Sequence, residues 1–221
     1  MLNSLNKIAI ICPTFGRPNT FNEVYLNWKD NNAGYSDFYY VLEKSEAHLA
    51  KNTEANCIVV EEGQRGCNRP FYHACQELKE KYNYLAFVGD DHRFRVNDWD
   101  KQFIEALQTA WLVYGPEGYH NENLATACAF RSEIVRKLGY LVPPNFKHLY
   151  MDNVWMDIGK EMGIKYLPDV PIEHMHYLFG KAPHDEAYAA VNAESMYNDD
   201  RVNYENYKSA KFEEDIKKLK L

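Results

Sequence analysis

The chain has 221 residues, with 25 Lys and Arg against 32 Asp and Glu and a formal charge of −7, which is the length of one globular domain or of one domain with a small appendage. At 46% hydrophobic residues it can bury a core, which excludes the disordered, collagenous and low-complexity classes. Its acidity disfavours a protein that wraps duplex nucleic acid over a broad basic face, because that affinity comes mostly from phosphate neutralisation. No long apolar run and no basic-then-apolar leader is present, so neither a membrane span nor a secretory signal is expected. The five cysteines, Cys12, Cys57, Cys67, Cys75 and Cys128, form no C-x-x-C pair. That speaks against a disulfide framework or a structural zinc site and for a reducing cytoplasm. Aromatic residues make up 14% of the chain, Tyr above all, a surplus suited to the edges of a ligand site.

The first strand is expected over residues 7–12, an unbroken apolar run stopped by Pro13, and a run without alternation reads as a strand covered on both faces. Thr20 and Glu23 then form a capping box ahead of Phe21, Val24, Tyr25 and Trp28 at helical spacing. Strands are expected at 38–42 and 57–60, rich in β-branched or aromatic residues. A turn-rich stretch over 61–68 leads to a helix with Pro70 at its first position and Phe71, Ala74, Cys75, Leu78 and Tyr82 on one face. A fourth strand, 84–88, runs into Gly89-Asp90-Asp91-His92. This β-α-β-β-α-β order implies an α/β class with a mostly parallel sheet between helices.

The second half is less regular. Asp98 is placed to cap a helix carrying Phe103, Ile104, Leu107 and Trp111, a strand is expected over 125–130, and Ser132 is placed to cap a short helix ending at Gly139. A helix begins near Asp152 and stops at Gly163, strand-like pieces follow at 165–167 and 170–172, and the tail from 187 is polar with an amphipathic end at Phe212, Ile216 and Leu219.

Ligands of open α/β sheets bind at the carboxyl ends of the strands. There the sequence sets Thr14, Phe15 and Arg17 after the first strand, Glu43 after the second, Arg65 after the third, and Asp90, Asp91 and His92 after the fourth. Two adjacent carboxylates repel unless a cation joins them, which points to Mg2+ or Mn2+, tilted toward Mn2+ by a histidine. Taken alone, the same residues also read as a solvated turn. In His174-x-His176, residues two apart at a strand end face one side, so both imidazoles can meet one site. Asp152 at a helix start is favoured by the helix dipole, which is expected to lower its pKa.

Taken in order, IAIICPTFGRP, Glu43, the turn with Arg65 and Asn68, YLAFVGDDHRF, LYMDNVW and IEHMHY resemble the GT-A fold glycosyltransferases, notably the inverting family 2 type, over roughly residues 7–185. The resemblance implies a three-layer α/β/α Rossmann-like GT-A fold with a mostly parallel central sheet. It further implies one catalytic domain over 1–185, with a nucleotide-sugar half (about 1–95), an acceptor half (96–185), and a helical tail over 186–221. By the same likeness Thr14, Phe15 and Arg17 hold base and ribose, Glu43 bonds the base, and Arg65 and Asn68 approach the nucleotide or its diphosphate. Asp91 binds the metal, Asp90 meets ribose or metal, and His174 or His176 is the distal metal or diphosphate ligand. Asp152 is the general base, with Met151 where the family usually has Glu, and Gly89 stands where many relatives carry the first Asp. The implied reaction moves a sugar from a nucleotide sugar, UDP- or GDP-linked, to an acceptor hydroxyl with Mn2+ or Mg2+ and inversion.

A nucleotidyltransferase on a similar scaffold would carry a Gly-rich loop after the first strand, where this chain has Pro13-Thr14-Phe15-Gly16-Arg17-Pro18. A non-catalytic nucleotide- or sugar-binding module is the other alternative. The acceptor stays open among a glycan, a small molecule and a hydroxylated DNA base, and Arg93, Arg95, Arg131, Arg136 and Lys137 would form the basic rim that the last of these needs.

Overall fold

The computed structural model describes residues 3–18, 20–191 and 193–221. Its strands are β1 (Ile8–Pro13), β2 (Ser36–Glu43), β3 (Asn56–Val60), β4 (Tyr84–Phe87), β5 (His92–Phe94), β6 (Leu112–Tyr114), β7 (Cys128–Arg131), β8 (Ile164–Tyr166) and β9 (Ile172–His174). Seven of them form one sheet in the order β3-β2-β1-β4-β7-β6-β8, while β5 and β9 pair apart from it. β3, β2, β1 and β4 run parallel, β7 is antiparallel to β4 and β6, and β8 is parallel to β6.

The unbroken apolar run of β1 follows from its position inside this sheet, since every residue of the strand is buried. Successive side chains of a strand point to opposite faces. Ala9 and Ile11 therefore join one core with Phe71, Ala74, Cys75 and Leu78 of α2 (Asn68–Leu78) and with Val154, Trp155 and Ile158 of α5 (Met151–Met162). Ile8, Ile10 and Cys12 join the other, with Val24 and Tyr25 of α1 (Glu23–Asn31) and Phe103, Ala106 and Leu107 of α3 (Trp99–Leu107). The protein is thus a three-layer α/β/α fold.

Several local expectations give way to competing contacts. Thr20 does not cap α1: its carbonyl accepts the Glu23 N–H at 3.0 Å, and the Glu23 carboxylate pairs with Arg93 at 2.6 Å. Neither Asp98 nor Ser132 makes a side-chain cap bond to its helix, α3 or α4 (Glu133–Leu138). Pro70 is the third residue of α2, because the Asn68 N–H already bonds the Lys147 carbonyl at 3.0 Å. The strand expected over 125–130 starts at Cys128, since the Ala125 carbonyl is taken by Trp155 Nε1 at 2.7 Å. The piece expected at 170–172 is paired over Ile172–His174, in register with β5. Trp111 lies beyond α3, on the approach to β6.

The segment after residue 185 is helical, with α6 (Glu186–Val191), α7 (Glu194–Ala210) and α8 (Phe212–Lys220). Tyr207, Ile216 and Leu219 are buried in the same core as α2 and α5. No helix among the described residues is long and apolar enough to cross a membrane.

Candidate active site

The carboxyl ends of β1, β2 and β4 open onto a cavity of about 540 Å³, within the range of small-ligand sites. Its lining includes Thr14, Phe15, Arg17, Glu43, Arg65, Asp90, Asp91, Asp152, His174 and His176. Asn68 is the exception among the sequence-derived candidates. It is fully buried, and its amide donates to the carbonyls of Pro143 at 2.9 Å and Phe146 at 3.0 Å. It thus ties α2 to the loop before α5 and is not among the residues that line this cavity.

The two adjacent aspartates are separated by their partners. Asp90 accepts from Thr14 Oγ1 at 2.7 Å and from Arg17 Nη1, so its carboxylate fastens the loop after β1 to the end of β4. Burial raises its pKa, Arg17 works against that, and the neighbouring Asp91 charge adds to it. Asp91 faces the other way, with Oδ2 at 3.2 Å from His174 Nε2 and Oδ1 at 3.3 Å from His92 Nδ1. Burial pushes its pKa up, but the hydrogen bond from His174 and the closeness of the His92 ring outweigh it and hold the carboxyl well below its usual range.

The pairing of β5 with β9 explains how these groups meet. His92 is the direct cross-strand partner of His174, and their rings stack at 4.4 Å. Two motifs 82 residues apart in the chain are thereby brought together, and the Met175 N–H closes the corner on the Asp91 carbonyl at 2.7 Å. Ligand atoms of Asp91, His92 and His174 all lie within 4.8 Å of one another. One carboxylate with imidazole nitrogens is a donor set suited to Mn2+ and tolerable for Mg2+. Cis ligands on a six-coordinate cation of this size stand about 3 Å apart, close to the 3.2 Å between Asp91 and His174. His92 Nδ1 also accepts the Gly89 N–H at 3.0 Å, so Asp91 and His174 are the better-placed ligands.

His176 stands beside this cluster with a different partner. Its ring is 4.9 Å from that of His174, but its Nδ1 accepts the Leu178 N–H at 3.3 Å, and burial with the His174 charge lowers its pKa to about 4. The structure therefore groups His92, not His176, with Asp91 and His174.

Across the cavity lining, the Arg65 guanidinium lies 3.7 Å from the Phe15 ring centroid, a cation–π pair. Glu43 is 8% exposed and meets Arg69 Nη1 at 3.5 Å; burial and its contact with Glu62 raise its pKa.

Asp152 stands in the first turn of α5, its Oδ1 taking the Asn153 N–H at 3.0 Å. Its pKa is raised, not lowered: loss of water at the cavity wall outweighs the backbone N–H groups that pull it down. Met151 beside it is 2% exposed, with its sulfur 3.4 Å from Cys67 Sγ. A carboxylate at that position would be buried among sulfur and apolar groups, which accounts for Met in place of Glu.

Three groups that shape the cavity carry no sequence signal. Tyr188 donates its hydroxyl to Asp91 Oδ2 at 2.8 Å. Asp185 accepts from Arg17 Nε at 2.9 Å. Asp200, on α7 and fully buried, accepts the backbone N–H groups of Lys147, His148 and Leu149 at 2.8 Å each. It braces the loop that leads, through Tyr150 in a left-handed conformation (φ 60°), into α5.

No protein-family model matches the sequence, and no curated protein matches it. Solved structures do match the fold. TarS of S. aureus in complex with UDP-GlcNAc is 14% identical, with a TM-score of 0.63 over 93% of this chain and 67% of that one. The mannosyltransferase PcManGT from Pyrobaculum calidifontis, in complex with GDP-Man and Mn2+, is 12% identical, with a TM-score of 0.53 over 96% of this chain and 72% of that one. The 4-diphosphocytidyl-2C-methyl-D-erythritol synthase of Anaerococcus prevotii is 13% identical, with a TM-score of 0.50 over 86% of this chain and 98% of that one. Identities this low speak for the fold alone. The chain has the GT-A fold, with its candidate site at the carboxyl ends of the parallel strands.

Proposed function

We propose that the protein transfers a sugar from a nucleotide-sugar donor to an acceptor hydroxyl, with inversion and with the help of Mn2+ or Mg2+. The observation that carries this reading is that Asp91 with His174, and Asp152 apart from them, line one cavity. That supplies a cation-binding pair for the leaving diphosphate and a separate carboxylate for the acceptor.

In this reading residues 1–95 supply the nucleotide-sugar half. Phe15 and Arg65 flank the base, Glu43 bonds its edge, and Thr14, Arg17 and Asp90 stand at the ribose. Asp91 and His174 would hold the cation, which when bound neutralises charge developing on the leaving group. Residues 96–185 supply the acceptor half, where Asp152 takes the proton from the attacking hydroxyl. A raised pKa makes Asp152 a stronger base than an ordinary aspartate.

The donor is a UDP- or GDP-sugar, in keeping with the ligands held by TarS and PcManGT. A glycan or small-molecule acceptor is favoured over DNA, because the would-be basic rim is occupied within the fold. Arg93 pairs with Glu23 and Arg95 with Glu173. Arg131 donates to the carbonyls of Leu107 and Gln108, Arg136 to that of Lys79, and Lys137 pairs with Glu133.

A thermal-shift panel of UDP, GDP, UDP-GlcNAc and GDP-Man, with and without Mn2+, tests the reading. Metal-dependent stabilisation by a nucleotide and slow release of nucleoside diphosphate from its sugar are expected. Absence of any nucleotide effect overturns it, release of pyrophosphate from a nucleoside triphosphate turns it to nucleotidyl transfer, and a product of retained configuration overturns the inverting role of Asp152.

A further inference from the structure

His148 lies in the loop between α4 and α5 and lines the cavity, yet the glycosyl-transfer reading gives it no task. Its Nδ1 accepts the backbone N–H of Cys67 at 3.3 Å. A backbone N–H can only donate, so Nδ1 carries no proton, and in the neutral ring the proton sits on Nε2.

The ring is held in place from several sides. The backbone N–H groups of Lys147, His148 and Leu149 end on the Asp200 carboxylate. The Lys147 carbonyl accepts the Asn68 N–H at 3.0 Å. Gly66, at φ 123°, packs so tightly that a Cβ there would stand 2.2 Å from the Lys147 oxygen. The loop before α2 and the loop before α5 are thus locked together through backbone, and the imidazole is the side chain that spans them. Burial pushes its pKa down to about 4, which keeps the ring neutral at physiological pH.

We propose that His148 is a ligand-binding residue whose Nε2–H, fixed in one tautomer by Cys67, donates a hydrogen bond to an oxygen of the nucleotide sugar, phosphoryl or hydroxyl. The identity of the ligand rests on the glycosyl-transfer reading; the tautomer, set by the Cys67 N–H on Nδ1, does not. A neutral donor of this kind serves an oxygen without adding charge to a cavity that already holds Arg17 and a cation site.

Two substitutions separate the two edges of the ring. In His148→Asn, the amide oxygen replaces Nδ1 as acceptor for Cys67, and the donor at the reach of Nε2 is lost. In His148→Gln, the amide nitrogen reaches the Nε2 position, and the tie to Cys67 is lost. His148→Asn is expected to melt near the wild type and to bind about 10-fold more weakly in the presence of Mn2+. His148→Gln is expected to bind within a few-fold of the wild type and to melt lower. Weakening toward UDP or GDP as well as toward UDP-GlcNAc or GDP-Man assigns the oxygen to the diphosphate, and weakening toward the nucleotide sugars alone assigns it to the sugar. Undiminished binding of all four by His148→Asn overturns the proposal. A wild type that binds none of them removes the glycosyl-transfer reading instead. Independently of any ligand, the long-range 15N–1H spectrum of the ring should show the Nε2–H tautomer from pH 5.5 to 8, and an Nδ1–H tautomer or a titration near 6.5 overturns the proposal.

Discussion

The Tyr188 hydroxyl and His174 Nε2 meet the same oxygen of Asp91, at 2.8 and 3.2 Å. Tyr188 belongs to α6, which folds over the cavity from the far end of the chain. Arg17 fixes it there, with Nε on Asp185 at 2.9 Å and the guanidinium 4.3 Å from the Tyr188 ring centroid. The oxygen assigned to the cation therefore carries an internal donor that competes for its lone pairs. A hydrogen bond to a charged group contributes about 1.5–3 kcal/mol. Tyr188→Phe is expected to bind Mn2+ about 10-fold more tightly in the absence of nucleotide, read by the loss of the free-ion paramagnetic signal. Unchanged or weaker binding would show that the hydroxyl does not compete.

Gly89 permits the Asp91 geometry by lacking a side chain. A Cβ at this position would stand 2.6 Å from Asp91 Oδ1 and 3.0 Å from His92 Nδ1. The first is the end of a side chain, so the protein yields there by rotating the carboxylate instead of unfolding. Gly89→Ala is expected to lower Mn2+ affinity at least 10-fold while the melting temperature of the metal-free protein moves little.

Asp91→Asn and Asp152→Asn separate binding from chemistry. Removing the Asp91 charge takes away the only carboxylate of the metal cluster, so nucleotide-induced stabilisation should lose its dependence on Mn2+. Asp152→Asn should keep that stabilisation and lose transfer by 100-fold or more, in line with removal of a general base, worth about 10²–10⁴. Persistence of transfer in Asp152→Asn would assign the base elsewhere.

Much of this site could be read from sequence because strand ends are legible. An apolar run that stops at Pro13 or at Gly89 sets the next polar residues at the sheet edge, and Thr14, Arg17, Asp90 and Asp91 follow directly. The β5–β9 pair is not legible, since three-residue strands carry no periodicity: the sequence offers His92 and His174 as separate candidates for the metal shell, and only the pairing sets them opposite each other. Asn68 resembled a nucleotide contact because it opens a helix after a turn, yet the same position serves equally to bind the carbonyls of Pro143 and Phe146. Asp200 sits in a polar helix among other acids, and only its burial against three N–H groups tells it apart. The sign of the Asp152 shift was lost for a related reason: a helix start is visible in sequence, and loss of solvent at a cavity wall is not.

Asp200 shows how the last helices support the site. Asp200→Ala leaves three backbone donors in the 147–149 loop without their acceptor, and each unsatisfied buried group costs about 1–3 kcal/mol. Asp200→Ala is expected to lose about 3 kcal/mol of stability in urea. Where it still folds, Mn2+ affinity should stay near that of the wild type while turnover falls, because the disturbed loop leads into the first turn of α5, with Asp152, and not into the Asp91 cluster.

The raised pKa of Asp152 links stability and activity to pH with opposite signs. Its folded value lies above the ordinary 3.8 because burial penalises the ionised form. Between 3.8 and the folded value, the native protein holds more of this proton than the unfolded chain does, so this group's contribution to stability falls as pH rises through that window and stays reduced above it. Asp152→Asn removes the buried charge, so its melting temperature should exceed that of the wild type at pH 7, with the difference shrinking as both are taken to acid. Activity runs the other way, because only the ionised carboxylate accepts the acceptor proton. The acid limb of the transfer rate should rise with pH and have its midpoint above the usual aspartate range. A limb centred at or below 3.8 in the wild type, or a variant no more stable than the wild type at neutral pH, would show that Asp152 is solvated and not held at a dry cavity wall.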